Sequence, residues 1–256
     1  PINKLNDHYK IGGKGGTVIE YAVRMFKMDR TKQMDRLLLQ KKVTKSDIRN
    51  LAKKIAHFHE NTAIIHQKNV LDIQEKFNDL NAEKKYLTAQ PYGEKYATII
   101  EYAIKTSNTF LEKNKELLAE RLSAGFFRDC HGDLHSRNIF LLPSPQPFDC
   151  IEFNVDYRQI DVLNEVAFLC MDLDAYGKKD LSELFIEYYN QFFASMKSSK
   201  EHHLFVYYKA YRANVRAKVN SLRAKSAENE KERKKALFEA DKYLRLMECY
   251  LKTLGL

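Results

Sequence analysis

The sequence has no run of eighteen apolar residues, so no membrane-spanning helix is expected. Its opening, PINKLNDHYKIGG, lacks the basic-then-apolar layout of a secretory signal. It begins with Pro1 rather than Met, which favours a natural beginning elsewhere. Cysteine is scarce, and Cys130, Cys150, Cys170 and Cys249 form no CxxC pair. Such spacing suits neither a zinc site nor a small disulfide framework, so free thiols in a reducing cytoplasm are expected. No nucleic-acid-binding motif accompanies the formal net charge of +9. Nucleic acid is therefore not the expected partner, and the charge reads as solvation or as attraction for an anionic ligand. Neither an internal repeat nor a linker between independent domains is apparent.

What is present is a chain of 256 residues, 44% apolar, long enough to bury a substantial core. The opening reads as a β-hairpin: a short strand near Ile2, the flexible loop GGKGG, and a strand within TVIEYAVRMF that ends near Phe26. GGKGG lacks the spacing of a phosphate-binding loop, and no helix opens directly after it. From Asp29 onward the sequence is helical. Leu37 to Leu39 close a short helix. TKSD (44–47) is a helix N-cap with an acid three residues on, followed by Ile48, Leu51, Ile55 and Phe58 at helical spacing. His59 in that helix reads as a partly buried structural histidine. Residues 67–86 are polar and weakly amphipathic, and AQPYG (89–93) breaks the chain. Tyr96 to Leu117 mark a long helix reaching about Ser123. Val162, Ala167, Phe168 and Leu169 begin a buried helix, and helix continues to the end. The expected class is α+β, a small strand region followed by a larger helical body.

Chemistry concentrates in CHGDLHSRNIF (130–140) and FDCIEF (148–153). The apolar runs 139–142 and 148–153 flank PSPQP, a turn too rich in proline for regular structure. With the hairpin centred near Ser144 and Pro145, Phe140 faces Asp149, and Asn138 is diagonal to it. An amide and a carboxylate converging there would make a hard, oxygen-rich site. That suits Mg²⁺ shared with substrate phosphates, because magnesium takes few protein ligands. Asp133, in a tight His-Gly-Asp turn, lies near that metal and is placed to accept the proton of an attacking hydroxyl. A catalytic Asp, a metal Asn five residues on and a second metal Asp on the next strand follow the logic of phosphoryl transfer.

At HGDLHSRNI and FDCIEF the chain resembles the aminoglycoside-phosphotransferase-like kinases. RDCHGDLHSRNIF, YRQIDVLNEVAFLCMDL and YYKAYRANVRAKV further resemble a bacterial, uncharacterised subfamily often fused to a P-loop ATPase domain. The resemblance runs from about Val18 to the end. It implies a protein-kinase-like fold, ATP and Mg²⁺ as cofactors, Asp133 as base, and Asn138 and Asp149 as metal ligands. It also implies that His131 braces the loop and that Asp161 buttresses it. His135 is open between helping with phosphate and bonding the loop backbone, while Arg137 reads as a solvated or salt-bridged charge.

A kinase of this kind also needs a small lobe with a glycine-rich loop, a strand lysine and a helix glutamate. After Met25 the chain goes directly to helices. EYAVRM thus reads as the last small-lobe strand, with residues 1–28 a two-strand remnant and 29–256 the large lobe. Met25, Phe26, Lys27 and Met28 form the hinge expected to meet the adenine. The missing parts are lost, cut away or on another chain, and the exposed strands invite self-association or a separate small-lobe chain. Lys209, Arg212, Arg216 and Arg223 form a basic helical stripe, read as solvated surface. Facing the cleft, it would favour an acidic acceptor. Tyr208, Val215, Val219 and Leu222 form the apolar face of the same helix. Three functions follow: a phosphotransferase acting on a small-molecule hydroxyl, a non-catalytic nucleotide- or partner-binding module of the same fold, and a basic nucleic-acid-binding protein resting on charge alone.

Overall fold

The structure is a computed structural model that describes every residue except Phe26, Tyr92 and Leu256. The chain divides into two compact units, Pro1–Arg30 and Thr31–Leu256. Its class is mixed α+β, helical with a few small antiparallel sheets.

The first unit is a three-stranded antiparallel sheet in the order β2-β1-β3, built from β1 (Ile2–Leu5), β2 (His8–Ile11) and β3 (Thr17–Glu20). Two expectations need correcting here. The two-strand hairpin is three strands, because Asn6-Asp7 makes a two-residue turn that pairs Leu5 with His8. Asn6 takes φ +52°, a conformation that asparagine tolerates better than most residues. The glycine loop then returns the chain to the other edge of β1. At Gly16, with φ +78°, a Cβ would sit 2.4 Å from the Lys4 carbonyl oxygen, so only glycine fits. The second correction is that β3 stops at Glu20 rather than running to Phe26. Its last partner on β1 is Ile2, opposite Glu20, and residues 21–25 carry no strand pairing.

In the second unit, α1 (Met34–Leu39) precedes α2 (Lys45–Asn61). The expected capping box is present: the Thr44 side chain accepts the Asp47 N–H, and Asp47 accepts the Thr44 N–H. Ile48, Leu51 and Ile55 are buried, whereas Phe58 is partly exposed. His59 is fully buried, and its Nδ1 lies 2.7 Å from the Tyr189 hydroxyl. Burial and the nearby Arg128 charge push its pKa down to about 3, so the ring is neutral.

The polar stretch after it folds as α3 (Asp72–Asn78) and α4 (Asn81–Thr88). The long helix expected to reach Ser123 is broken into α5 (Glu94–Lys113) and α6 (Lys115–Ser123). Asn114 makes the break, its side chain donating to the Phe110 carbonyl and competing with the helical ladder.

β4 (Phe127–Asp129) pairs antiparallel with β7 (Gln159–Asp161), and β5 (Ile139–Phe140) with β6 (Gln146–Pro147). β7 runs straight into α7 (Val162–Ala175), in which every residue from Val162 to Leu173 is buried. Around it pack α8 (Lys179–Phe192), α9 (Ser199–Lys225) and α10 (Glu230–Thr253). A helix buried on all sides forms the centre of a core. The two buried acids on α7, Glu165 and Asp172, are therefore placed where only bonded partners make their burial tolerable.

Among the described residues no helix is long and apolar enough to cross a membrane. All four cysteines are free, Cys130 and Cys170 buried, Cys150 and Cys249 exposed.

Candidate functional site

The loop from Cys130 to Asn138 leaves β4 and is held from below by α7. Glu165 accepts the backbone N–H groups of His131 (2.7 Å) and Gly132 (3.0 Å). Seven residues on, Asp172 accepts the N–H (2.9 Å) and hydroxyl (2.5 Å) of Ser136. Seven residues are almost two helical turns, so both acids project from one face of α7. Arg212 of α9 donates to the Gly132 carbonyl at 3.0 Å. Gly132 itself has φ +85°, and a Cβ there would lie 2.9 Å from the Tyr157 carbonyl oxygen. The turn that presents Asp133 thus depends on glycine both for its conformation and for its space.

The two histidines are fixed as Nε2–H tautomers by what they accept. The Asp133 N–H points to His131 Nδ1 (3.3 Å), so His131 Nε2–H donates to the Phe148 carbonyl at 2.8 Å. His131 therefore ties the loop to the segment carrying Asp149, the bracing role expected of it. The Arg137 N–H points to His135 Nδ1 (3.3 Å), which leaves the His135 Nε2–H facing Asp133 Oδ2 at 3.4 Å. His135 thus bonds both the loop backbone and the Asp133 carboxylate. Its ring stands edge-on to Phe168 at 5.3 Å.

Asn138 completes the cluster. Its Nδ2 donates to the Asp133 carbonyl (3.1 Å) and to Asp133 Oδ2 (2.9 Å). Both partners are pure acceptors, so the amide orientation is unambiguous, and Oδ1 is the atom left for a further ligand. Burial opposes ionisation of Asp133. The His135 hydrogen bond and the charges of Arg212 and Arg216 outweigh it and hold the carboxyl down at about 2.

Asp149 is placed differently from expectation. The register is Ile139 opposite Pro147 and Phe140 opposite Gln146, not Phe140 opposite Asp149. The Phe148 N–H donates to the Asn138 carbonyl at 3.0 Å, so Asp149 follows the residue that faces Asn138. Proline explains the shift. With Asn138 and Phe148 a bonded pair, alternation puts Pro147 in the non-bonded position, where its missing N–H is not needed. Asp149 has φ +63°, is exposed, and has no bonded partner among the described residues. It borders a cavity of about 430 Å³ shared with Lys54, Phe58 and Arg158. Asp133 borders another, of about 310 Å³, shared with Arg212 and Lys218. The structure therefore brings Asp133, His135 and Asn138 into one bonded cluster and leaves Asp149 adjacent to it in the chain without a bond to it. Among the described residues no three His, Cys, Asp or Glu side chains cluster as a metal site.

Three further expectations are settled here. Asp161 does not buttress the loop; it accepts the Leu163 N–H at 2.8 Å as the cap of α7 and takes Arg121 on both oxygens at 2.6 and 2.8 Å. The basic stripe is only partly solvated: Arg212 and Arg216 are buried and Lys209 pairs with Asp174, whereas Arg223 is exposed as expected. Arg137 is ion-paired with Asp35 at 4.0 Å. Of the hinge residues, Met25, Lys27 and Met28 lie past the end of β3 in the first unit, and Phe26 lies outside the described residues. Sequence reasoning missed Glu165 and Asp172. Their signal was two acids seven apart in an otherwise apolar helix.

No protein-family model matches the chain. Over 178 residues it is 31% identical to an uncharacterised protein of Mycobacterium tuberculosis (strain H37Rv), covering 68% of this chain and 34% of that protein. The same identity and coverage hold for an uncharacterised protein of Mycobacterium bovis. The chain spans about a third of the length of the curated relatives it matches.

Proposed function

We propose that the chain is the large lobe, with part of the small lobe, of a protein-kinase-like phosphotransferase. In this reading it acts in the cytoplasm and transfers the γ-phosphate of ATP to a hydroxyl of a small molecule. The observation that carries the reading is the Asp133 cluster: an ionised carboxylate oriented by His135 and Asn138 at the edge of a cavity. Asn138 Oδ1 and the Asp149 carboxylate would hold Mg²⁺, which would supply neutralising charge to the phosphates. A carboxylate with a pKa of about 2 is a weak base toward a free alcohol. Asp133 therefore first orients the acceptor hydroxyl and takes its proton late, once the bond to phosphorus is forming. That sequence suits a loose transition state, in which positioning contributes most of the rate. The hinge at Met25, Phe26, Lys27 and Met28 would meet the adenine.

The second reading, a non-catalytic nucleotide- or partner-binding module, is favoured by one observation. Asp149 opens onto a different cavity from Asp133. Calorimetry separates the two. In the phosphotransferase reading, Asp149→Ala weakens Mg·ATP far more than adenosine, because the carboxylate acts through the metal. Equal losses for both ligands would make Asp149 structural and remove the metal site from the argument.

A further inference from the structure

Helix α9 buries two arginines among its aromatic residues and leaves two apolar side chains open. Arg212 and Arg216 are buried, while Val219 and Leu222 on the same helix stand 41% and 44% exposed. Both apolar side chains line the cavity of about 310 Å³ that contains Asp133, together with Ile151, Phe153 and Tyr157. Phe153 is itself largely exposed. Apolar walls left open to water beside a reactive carboxylate are the usual mark of a small-molecule pocket. Its volume is at the low end of the range of about 300–1,000 Å³ found for such pockets, which suits a body the size of a single ring.

The charges of this cavity are already matched. Lys76 pairs with Asp72, and Lys218 pairs with Asp79. Arg212 gives Nε to Asn164 and Nη1 to Gly132, which leaves Nη2 buried and without a partner among the described residues. That leaves no surplus charge for a polyanion or a polycation.

We propose that the acceptor is a small alcohol with an apolar body, held against the Val219–Leu222 wall with its hydroxyl at Asp133. This rests on the phosphotransfer reading for its identification of the pocket as an acceptor site. It differs from the acidic acceptor that the basic stripe alone suggested, because Lys209 is paired, Arg212 and Arg216 are buried, and the exposed Arg223 does not line this cavity.

Saturation-transfer NMR on the full chain, with 3-phenylpropan-1-ol, glucose and spermidine as probes, tests it. The phenylpropanol signal is expected in the wild type and absent for the other two probes. In the Val219→Asp/Leu222→Asp variant, matched to wild type by circular dichroism, its affinity should fall about tenfold or more. The milder Val219→Ser/Leu222→Ser pair serves if the acidic pair unfolds. Equal affinity in the variant, no binding of phenylpropanol, or equal binding of glucose or spermidine overturns the proposal. None of these outcomes depends on nucleotide. A failed Asp149→Ala titration would sink the phosphotransfer reading and leave an apolar-alcohol pocket standing.

Discussion

Asp133 is held by two side-chain donors, and its chemistry follows from them. His135 Nε2–H and Asn138 Nδ2–H both favour the charged form. Replacing Asp133 by Asn keeps size and shape but removes the negative charge and the proton acceptor. We expect Asp133→Asn to lower phosphotransfer by about 10²–10⁴, with Mg·ATP affinity little changed. Steady-state kinetics and nucleotide titration of both proteins check this, and an undiminished rate would remove Asp133 from the base role. The sign of the pH effect also follows. The folded value of about 2 lies below the ordinary 3.8, so the contribution to stability is present above 3.8 and is lost as pH falls toward 2. Acid unfolding of Asp133→Asn should lack that component.

At the scale of elements, α7 organises the site. It is capped by Asp161 and buried along its length, and it offers two acids to the loop above it. Burial pushes the Glu165 pKa up, against the opposing pull of the Arg212 charge and of the His131 and Gly132 N–H bonds. A glutamine there has one acceptor oxygen and an NH₂ that would meet a second N–H. Glu165→Gln therefore leaves a buried donor unpaired, and we expect it to cost roughly 1–3 kcal/mol of stability. Thermal or urea denaturation measures it. An unchanged midpoint would mean that the loop does not rely on α7. The placement of α9 belongs to this scale too: its buried Arg212 bonds the loop at Gly132, and its Val219 and Leu222 line the cavity.

At the scale of the molecule, the first unit is a sheet of four-residue strands with much of its apolar surface open. Val18 and Ile19 on β3, and Tyr21, Val23 and Met25 after it, are all exposed, Val23 by 84%. A sheet this small rarely stands alone in water, and an open apolar edge is a template for pairing. Concentration-dependent association is expected in sedimentation, and Ile19→Lys/Val23→Lys should shift the chain to monomer. A wild type that sediments as monomer at every concentration would show that the strands need no partner. Adding a separate small-lobe chain should compete with that self-association.

The sequence by itself determined the elements whose cause is local. The capping box at Thr44 and Asp47, the buried α7, and the loop residues Asp133, His135 and Asn138 all follow from side-chain chemistry within a few positions. Periodicity also marked Val219 and Leu222 as apolar. It could not say that they would line a cavity while Arg212 and Arg216 went inside. That was decided by long-range partners, the Gly132 carbonyl and Asn164 for Arg212. Register was beyond reach for the same reason: PSPQP fixed a turn, but the placement of Pro147 opposite Ile139 depended on which ladder position tolerates a missing N–H. Asp161 was misassigned because its partner, Arg121, lies 40 residues away on α6. A buried charge takes its role from whichever opposite charge the fold brings to it, and only the tertiary structure decided which that was.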